Sequence, residues 1–137
     1  MACIFCKIAA GELPAAAVYQ SPRCFAFLDL QPCAAGHTVI VPKAHVVNLV
    51  DLSAEDGVDF LATTQAVVRL LTAVFDTTDF TIGINEGRLA GRAIDHLHLH
   101  VIPRFAGDGG GSLHSIVQNS PTESLEVIQA KIAAVGR

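Results

Sequence analysis

Basic residues are scarce in this sequence. Lysine and arginine number 9 against 13 acidic residues, for a formal net charge of −4. No run of them forms a stripe, which excludes the electrostatic footprint of a polynucleotide-binding protein. A small charged ligand stays open, because it needs only a local site. No stretch approaches the ~20 apolar residues of a membrane span, so no membrane partner is expected. The opening MACIFCKIAAGELPAAAV lacks a basic leader, and Lys7 and Glu12 break its apolar runs, so it does not read as a secretory signal. Internal repeats and linkers are absent. The stretch GDGGGS lacks the Lys-Ser/Thr ending of a phosphate-binding loop and reads as a flexible loop. Charged residues are 16% and hydrophobic residues 51%, which excludes a disordered chain. The 137 residues make one domain, 1–137, with enough chain for one real core. Four cysteines without an export signal point to a reducing, cytoplasmic compartment. There, a close pair is more often a metal or redox device than a disulfide.

The pattern of apolar residues predicts an α+β domain. Residues 3 to 9 read as a short helix or turn. In AVYQSPRCFAFLDLQP (17 to 32), two strands flank a Ser-Pro turn, with Cys24, Ala26 and Leu28 alternating against Phe25, Phe27 and Asp29. GHTVIVPKAH (36 to 45) is a β-branched strand stopped by Pro42. Ser53 is the N-cap candidate of a long helix, with Asp56 three residues on. Val58, Leu61, Val68, Leu71 and Phe75 repeat at helical spacing. Phe60, Val67, Leu70 and Val74 widen that face, so the helix is expected to be well buried. FTIGIN (80 to 85) is a strand and EGRLAGRA a loop. A last helix is expected from Ser120 to Val135, starting at Ser120 or Pro121. The sum is an antiparallel β-sheet packed with one long helix and a C-terminal helix. Cys24 and Cys33 read as core or partly exposed thiols, and His114 takes no functional role.

DHLHLHVIPR (95 to 104) sets three histidines at alternate positions. On a strand, His96, His98 and His100 share one face, roughly 6 to 7 Å apart at Cα, and Leu97, Leu99 and Val101 share the other. The leucine face can pack on the helix, which turns the imidazoles toward a polar cleft. The pattern admits three readings: satisfied surface histidines, a three-histidine metal site, or nucleophilic catalysis by one imidazole with its neighbours handling protons. Imidazole suits the last, because its ordinary pKa near 6.5 leaves a large neutral fraction at neutral pH. Cys3 and Cys6 form a C-x-x-C, open as two buried hydrophobes, a redox pair or metal ligands.

The heptad His96-Leu97-His98-Leu99-His100-Val101-Ile102 resembles the histidine-triad pattern, His-φ-His-φ-His-φ-φ. CIFCKIAAGELPAAAVY, FAFLDLQPCAAGHTVIVPKAH and GINEG are similar to that family's N-terminal, central and pre-triad segments. The likeness covers nearly all of residues 3 to 105 and looks most like the Hint branch and its bacterial relatives. It implies a nucleotidyl hydrolase that cleaves nucleoside 5′-phosphoramidates or related adenylates at the α-phosphate through a covalent nucleotidyl-histidine, releasing a nucleoside monophosphate. His98 would be the nucleophile, His100 would support the leaving group, and His37 would contact the triad and fix tautomers. Asp29 would bind the ribose hydroxyls. Phe5, Ile8, Phe27 and Leu30 would wall the base, with ordinary core as the competing reading of each. Asn85 would reach the phosphate region. The resemblance also implies structural zinc on Cys3, Cys6, His45 and His96, no catalytic cofactor, a purine nucleotide or its conjugate as ligand, and a twofold homodimer with a continuous sheet.

The sequence departs from the family where Gly-Gln-Ser or Gly-Gln-Thr is usual. Here it has Gly91-Arg92-Ala93, so the hydroxyl expected at the phosphate is missing at Ala93. Arg92 either clamps extra phosphates or points to solvent, and Asp95 should face away from the histidines. Arg92 keeps a dinucleoside polyphosphate hydrolase of the Fhit type in play. A nucleotide-binding interaction protein with incidental turnover and a three-histidine zinc hydrolase are further alternatives.

Overall fold

Alternation along the strands sorts the side chains into two layers on opposite faces of one sheet. The computed structural model describes residues 3–136. The strands are β1 (Ala17–Gln20), β2 (Cys24–Leu28), β3 (Thr38–Pro42), β4 (Phe80–Gly83) and β5 (Leu99–Pro103). They pair antiparallel throughout in the order β1-β2-β3-β5-β4. The helices are α1 (Ile4–Ala9), α2 (Ala54–Phe75) and α3 (Leu125–Val135). Cys24, Ala26, Ile40, Leu97 and Val101 face α2 and pack on its Phe60, Val67 and Leu71. On the other face, Phe27, Val39 and Val41 receive Phe5 and Ile8 of α1. The edge-to-face pair of Phe5 and Phe27, with centroids 5.6 Å apart, anchors this second layer. Such a pair adds about 1 kcal/mol beyond its buried area.

The register puts the second layer next to the histidines. Phe27 pairs with Val39, and Val39 pairs with His100, so all three project from one face. Gly36, at φ +86, turns the chain into β3. A Cβ there would lie 2.5 Å from Cε2 of Phe75, so glycine is required by conformation and by space.

Four expectations are corrected. First, β5 begins at Leu99, so of the three histidines only His100 lies in the regular strand, and His96 sits in a bend. Pairing with β3 runs no further than Ile40↔Leu99. Beyond it Pro42 has no N–H for a ladder, and its carbonyl is taken by Nε2 of His96 at 2.8 Å. Second, α2 is not buried all round: Phe60, Thr63, Thr64, Val67 and Leu71 form its buried stripe. Two threonines can serve there because each is satisfied, Thr64 Oγ1 donating to the Phe60 carbonyl and Thr63 Oγ1 to Ser21 Oγ. Val58, Leu61, Leu70 and Val74 are left exposed. Third, α2 is long and apolar enough, by length and composition, to cross a membrane. Its stripe packs on the sheet instead, and its first turn is pinned by Ser53 Oγ, which accepts from Asp56 N. Fourth, α3 begins at Leu125 because Ser124, not Ser120, caps it by accepting from Val127 N. No residue of α3 is buried.

Candidate histidine and metal site

Cys3 and Cys6 are brought to one side of α1 by their spacing. Cys3 is also the helix cap, its sulfur accepting from Cys6 N at 3.4 Å. Facing them are the rings of His96 and His45, the latter on the segment after β3. Cys3 Sγ lies 3.4 Å from His96 Nδ1, and Cys6 Sγ lies 3.2 Å from His45 Nδ1 and 3.5 Å from His96 Nδ1. All four donor atoms fall within 4.8 Å of one another. A tetrahedral Cys₂His₂ site has S···N edges of roughly 3.5 Å, so the cluster has the size a metal ion needs. The donor chemistry agrees. Burial, and then the neighbouring Cys3 sulfur, push the Cys6 thiol up to about 11. Two thiolates side by side are disfavoured unless a cation lies between them. The His96 Nε2–H is committed to the Pro42 carbonyl, so its Nδ1 lone pair faces the sulfurs.

The hydrogen bonds assign the remaining tautomers. His98 Nδ1 donates to the His96 carbonyl at 2.8 Å, which leaves the lone pair on Nε2. The Cys33 backbone N–H donates to His37 Nδ1 at 3.0 Å, so the neutral His37 carries its proton on Nε2. That proton is given to His100 Nδ1 at 2.9 Å. The neutral His100 therefore holds its own proton on Nε2. Burial depresses the pKa of His37, His96 and His100 below the ordinary imidazole value, at His100 with help from the neighbouring His98 and His37 rings. Asp29, with Oδ2 3.5 Å from His37 Nε2 and 3.8 Å from His100 Nδ1, opposes the shift without reversing it. Asp29, His37 and His100 are compact enough to hold an ion, but the two rings are committed to each other. Among the described residues, His96, His98 and His100 form no common three-ligand group.

His98 and His100 border a cavity of about 400 Å³. Phe5, Ile8, Phe27, Asp29, Leu30, Asn85, Ala93, His98 and His100 all line it. Sequence reasoning missed Ile4, Gln31, Val39, Gly91 and Ile94 in the same lining. Val39 was within reach of period-2 counting, two residues from His37 on the approach to β3. Asp29 Oδ1 accepts from Gln31 N at 2.8 Å, which holds the carboxylate at the rim.

Arg92 does not line this cavity. Its side chain is 12% exposed, so it neither reaches into the pocket nor extends into solvent. Nη1 donates to Asn48 Oδ1 at 2.9 Å, and Nε lies 3.4 Å from Asp95 Oδ1. Asp95 thus faces away from the histidines, toward Arg92 and Arg88. Cys24 is fully buried, Cys33 is exposed, and His114 is exposed on a 3₁₀ turn at Leu113–Ser115.

A five-stranded antiparallel sheet with paired imidazoles beside an acid-rimmed cavity defines a histidine-centred α+β domain. Comparison with known proteins gives its family. Residues 10–107 match the HIT domain, and the chain belongs to the HIT domain family. It is 41% identical over 108 residues to an uncharacterised HIT-like protein of Methanocaldococcus jannaschii, covering 78% of this chain and 82% of that one. It is 35% identical over 104 residues to an adenosine 5′-monophosphoramidase of Schizosaccharomyces pombe, covering 76% and 75%. The crystal structure of a HIT family member from Bacillus subtilis superposes with a TM-score of 0.86 at 30% identity, covering 99% of this chain and 96% of that one. A zinc-bound histidine-triad protein from Mycobacterium smegmatis superposes at 0.73 with 30% identity, covering 99% and 96%.

Proposed function

We propose that this protein hydrolyses nucleoside 5′-phosphoramidates or related adenylates at the α-phosphate, releasing a nucleoside monophosphate. The observation that carries the reading is the tautomer of His98. Its Nδ1–H is held by the His96 carbonyl, so the free Nε2 lone pair belongs to a ring that lines the cavity. His98 Nε2 attacks the α-phosphorus and forms a P–N bond as the bond to the leaving amine or acyl oxygen breaks. His100 Nε2–H supports the leaving group or the charged phosphate oxygens. A leaving amine departs with one proton, and an acyl oxygen departs as carboxylate. Water then attacks the phosphorus of the nucleotidyl-imidazole, gives up a proton and breaks the new P–N bond, so that neutral His98 is regenerated. Splitting one displacement into two lets water meet an activated bond.

The apolar wall of Phe5, Ile8 and Phe27 suits a flat base, and Asp29 suits the ribose hydroxyls, since a carboxylate can accept from both. The S. pombe relative, an adenosine 5′-monophosphoramidase, favours a purine. Arg92 is engaged with Asn48 and Asp95, which favours phosphoramidates or adenylates over dinucleoside polyphosphates. Cys3, Cys6, His45 and His96 would hold a structural zinc ion. When bound, the metal ties the N-terminal turn to the segment that carries the nucleophile. We assign the chain to the cytoplasm and to a homodimer on the same reading.

The test is a turnover panel of adenosine phosphoramidates and diadenosine polyphosphates, with an acid quench of radiolabelled substrate. Label is expected on the peptide holding residues 96 to 100, and His98→Asn should lower turnover by ~10³-fold or more while nucleotide still binds. Normal turnover by His98→Asn, or label on another residue, overturns the mechanism. Tight nucleotide binding with no turnover of any substrate would make the chain a binding protein instead.

A further inference from the structure

Arg92 stands where the histidine-triad resemblance implies a neutral glutamine. Its guanidinium reaches two nearby segments and one that is distant in sequence. On the segment that follows His45, Nη1 donates to Asn48 Oδ1 at 2.9 Å and to the Val47 carbonyl at 3.4 Å. On the segment that precedes the histidines, Nε sits 3.4 Å from Asp95 Oδ1. On the loop that supplies Asn85 to the cavity, Glu86 Oε1 lies 3.9 Å from Nη1. Glu86 closes the circuit, because its Oε2 accepts from Leu49 N at 2.7 Å. Nε itself is buried without a hydrogen-bond partner, so the guanidinium is held by the Asn48 and Val47 oxygens with the Asp95 and Glu86 carboxylates close by. The flanking Gly91 and Ala93 line the cavity. A largely buried, permanently charged fork is costly unless its partners are held in place, and the segments of those partners carry the candidate metal ligands His45 and His96 and the cavity-lining Asn85.

We propose that Arg92 is a positioning residue, a clasp that fastens the His45 segment to the segments bearing the cavity wall and the histidines. The metal cluster and the histidine site then share one rigid support. Glutamine could bridge Asn48 but could not neutralise Asp95 and Glu86, so in this chain the metal site and the reactive site are coupled by charge. The catalytic half of the claim rests on the function proposed above; the metal half does not.

The experiment uses the full chain loaded with zinc. Arg92→Met and Arg92→Gln are compared with Asn48→Ala, with the Arg92→Met/Asn48→Ala double variant, and with Arg88→Met as control. Arg88 also pairs with Asp95, but its side chain is 66% exposed. Zinc release to a chelating dye, the visible spectrum of the cobalt-substituted protein, and kcat and KM for an adenosine phosphoramidate are read for each. Both Arg92 variants should release zinc about 10- to 100-fold faster, the scale for groups that orient metal ligands. Their cobalt bands should shift, and kcat should fall with KM changed less than about threefold. The double variant should be less than additive, and Arg88→Met should match the wild type. Wild-type zinc release and an unshifted cobalt spectrum in both Arg92 variants overturn the clasp, as does full additivity with Asn48→Ala. If Arg92→Met fails to fold, Arg92→Gln and Asn48→Ala carry the same decision. If the wild type holds zinc but turns over no nucleotide, the proposed function fails while the metal arm still decides the clasp.

Discussion

His37 and His100 are joined ring to ring, with Nε2 of one 2.9 Å from Nδ1 of the other. They come from β3's approach and from β5, 63 residues apart in sequence. The backbone N–H of Cys33 sets the direction of the pair by donating to the far side of His37. One main-chain amide thereby decides that His100 presents a donor to the cavity.

This pair makes stability depend on pH. Burial holds both rings below the ordinary imidazole value in the folded state. Below about pH 6.5 the unfolded chain therefore binds more protons than the folded one. Stability should be full above pH 6.5, should fall as pH drops toward the depressed folded values, and should level off below them. Urea midpoints measured from about pH 7.5 to 5 should show this fall, and His37→Gln should flatten part of it. An unchanged slope in His37→Gln would remove the pair as its source.

Removing a sulfur should act first on the metal. Cys6→Ser is expected to lose bound zinc and lower the melting temperature by roughly 5 °C or more, because metal affinity is coupled to folding. Cys33→Ser, whose side chain is exposed and outside the cluster, should keep zinc at one ion per chain. Elemental analysis of both variants decides the assignment, and unchanged zinc in Cys6→Ser refutes it.

Gly36→Ala should be costly out of proportion to one methyl group. The residue needs a left-handed φ of +86, and its Cβ would meet Phe75 at 2.5 Å. A loss of about 2 kcal/mol or more is expected from chemical denaturation. Since His37 is the next residue, activity should fall beyond what the lost stability explains. A loss under about 0.5 kcal/mol would show that the turn relaxes freely.

Dimerisation should cover what one chain leaves open. β4 is an edge strand, its Ile82 is exposed, and Val58, Leu61 and Val74 of α2 are exposed on a helix whose other side packs on the sheet. Unpaired edges and apolar helix faces of this kind favour a second copy. Sedimentation at micromolar concentration should give about twice the 14.4 kDa of one chain. A single species at the monomer mass would exclude the dimer.

The histidine and cysteine positions were legible in the sequence because chemistry restricts the residue types and strand geometry restricts the spacing. Alternation alone separated Cys24 and Ala26 from Phe25 and Phe27, and the structure places those pairs on opposite faces. The same counting put His96, His98 and His100 on one side, and it anticipated the leucine face against α2. Ser53 as a cap was readable because a cap is a local hydrogen bond. Where β5 begins was not readable, because that depends on Pro42, a neighbour 54 residues away whose carbonyl is claimed by the His96 ring. The tautomers were equally hidden: they are set by the Cys33 amide and the His96 carbonyl, and main-chain groups have no signature in a sequence. Arg92 shows the same division. Its identity announced a charge where an amide is usual, while tertiary structure alone decided that the charge meets Asn48 and Asp95 rather than a phosphate. Residue chemistry and period are local and are written in the chain. Which long-range partner satisfies each buried polar group is settled only when the segments meet.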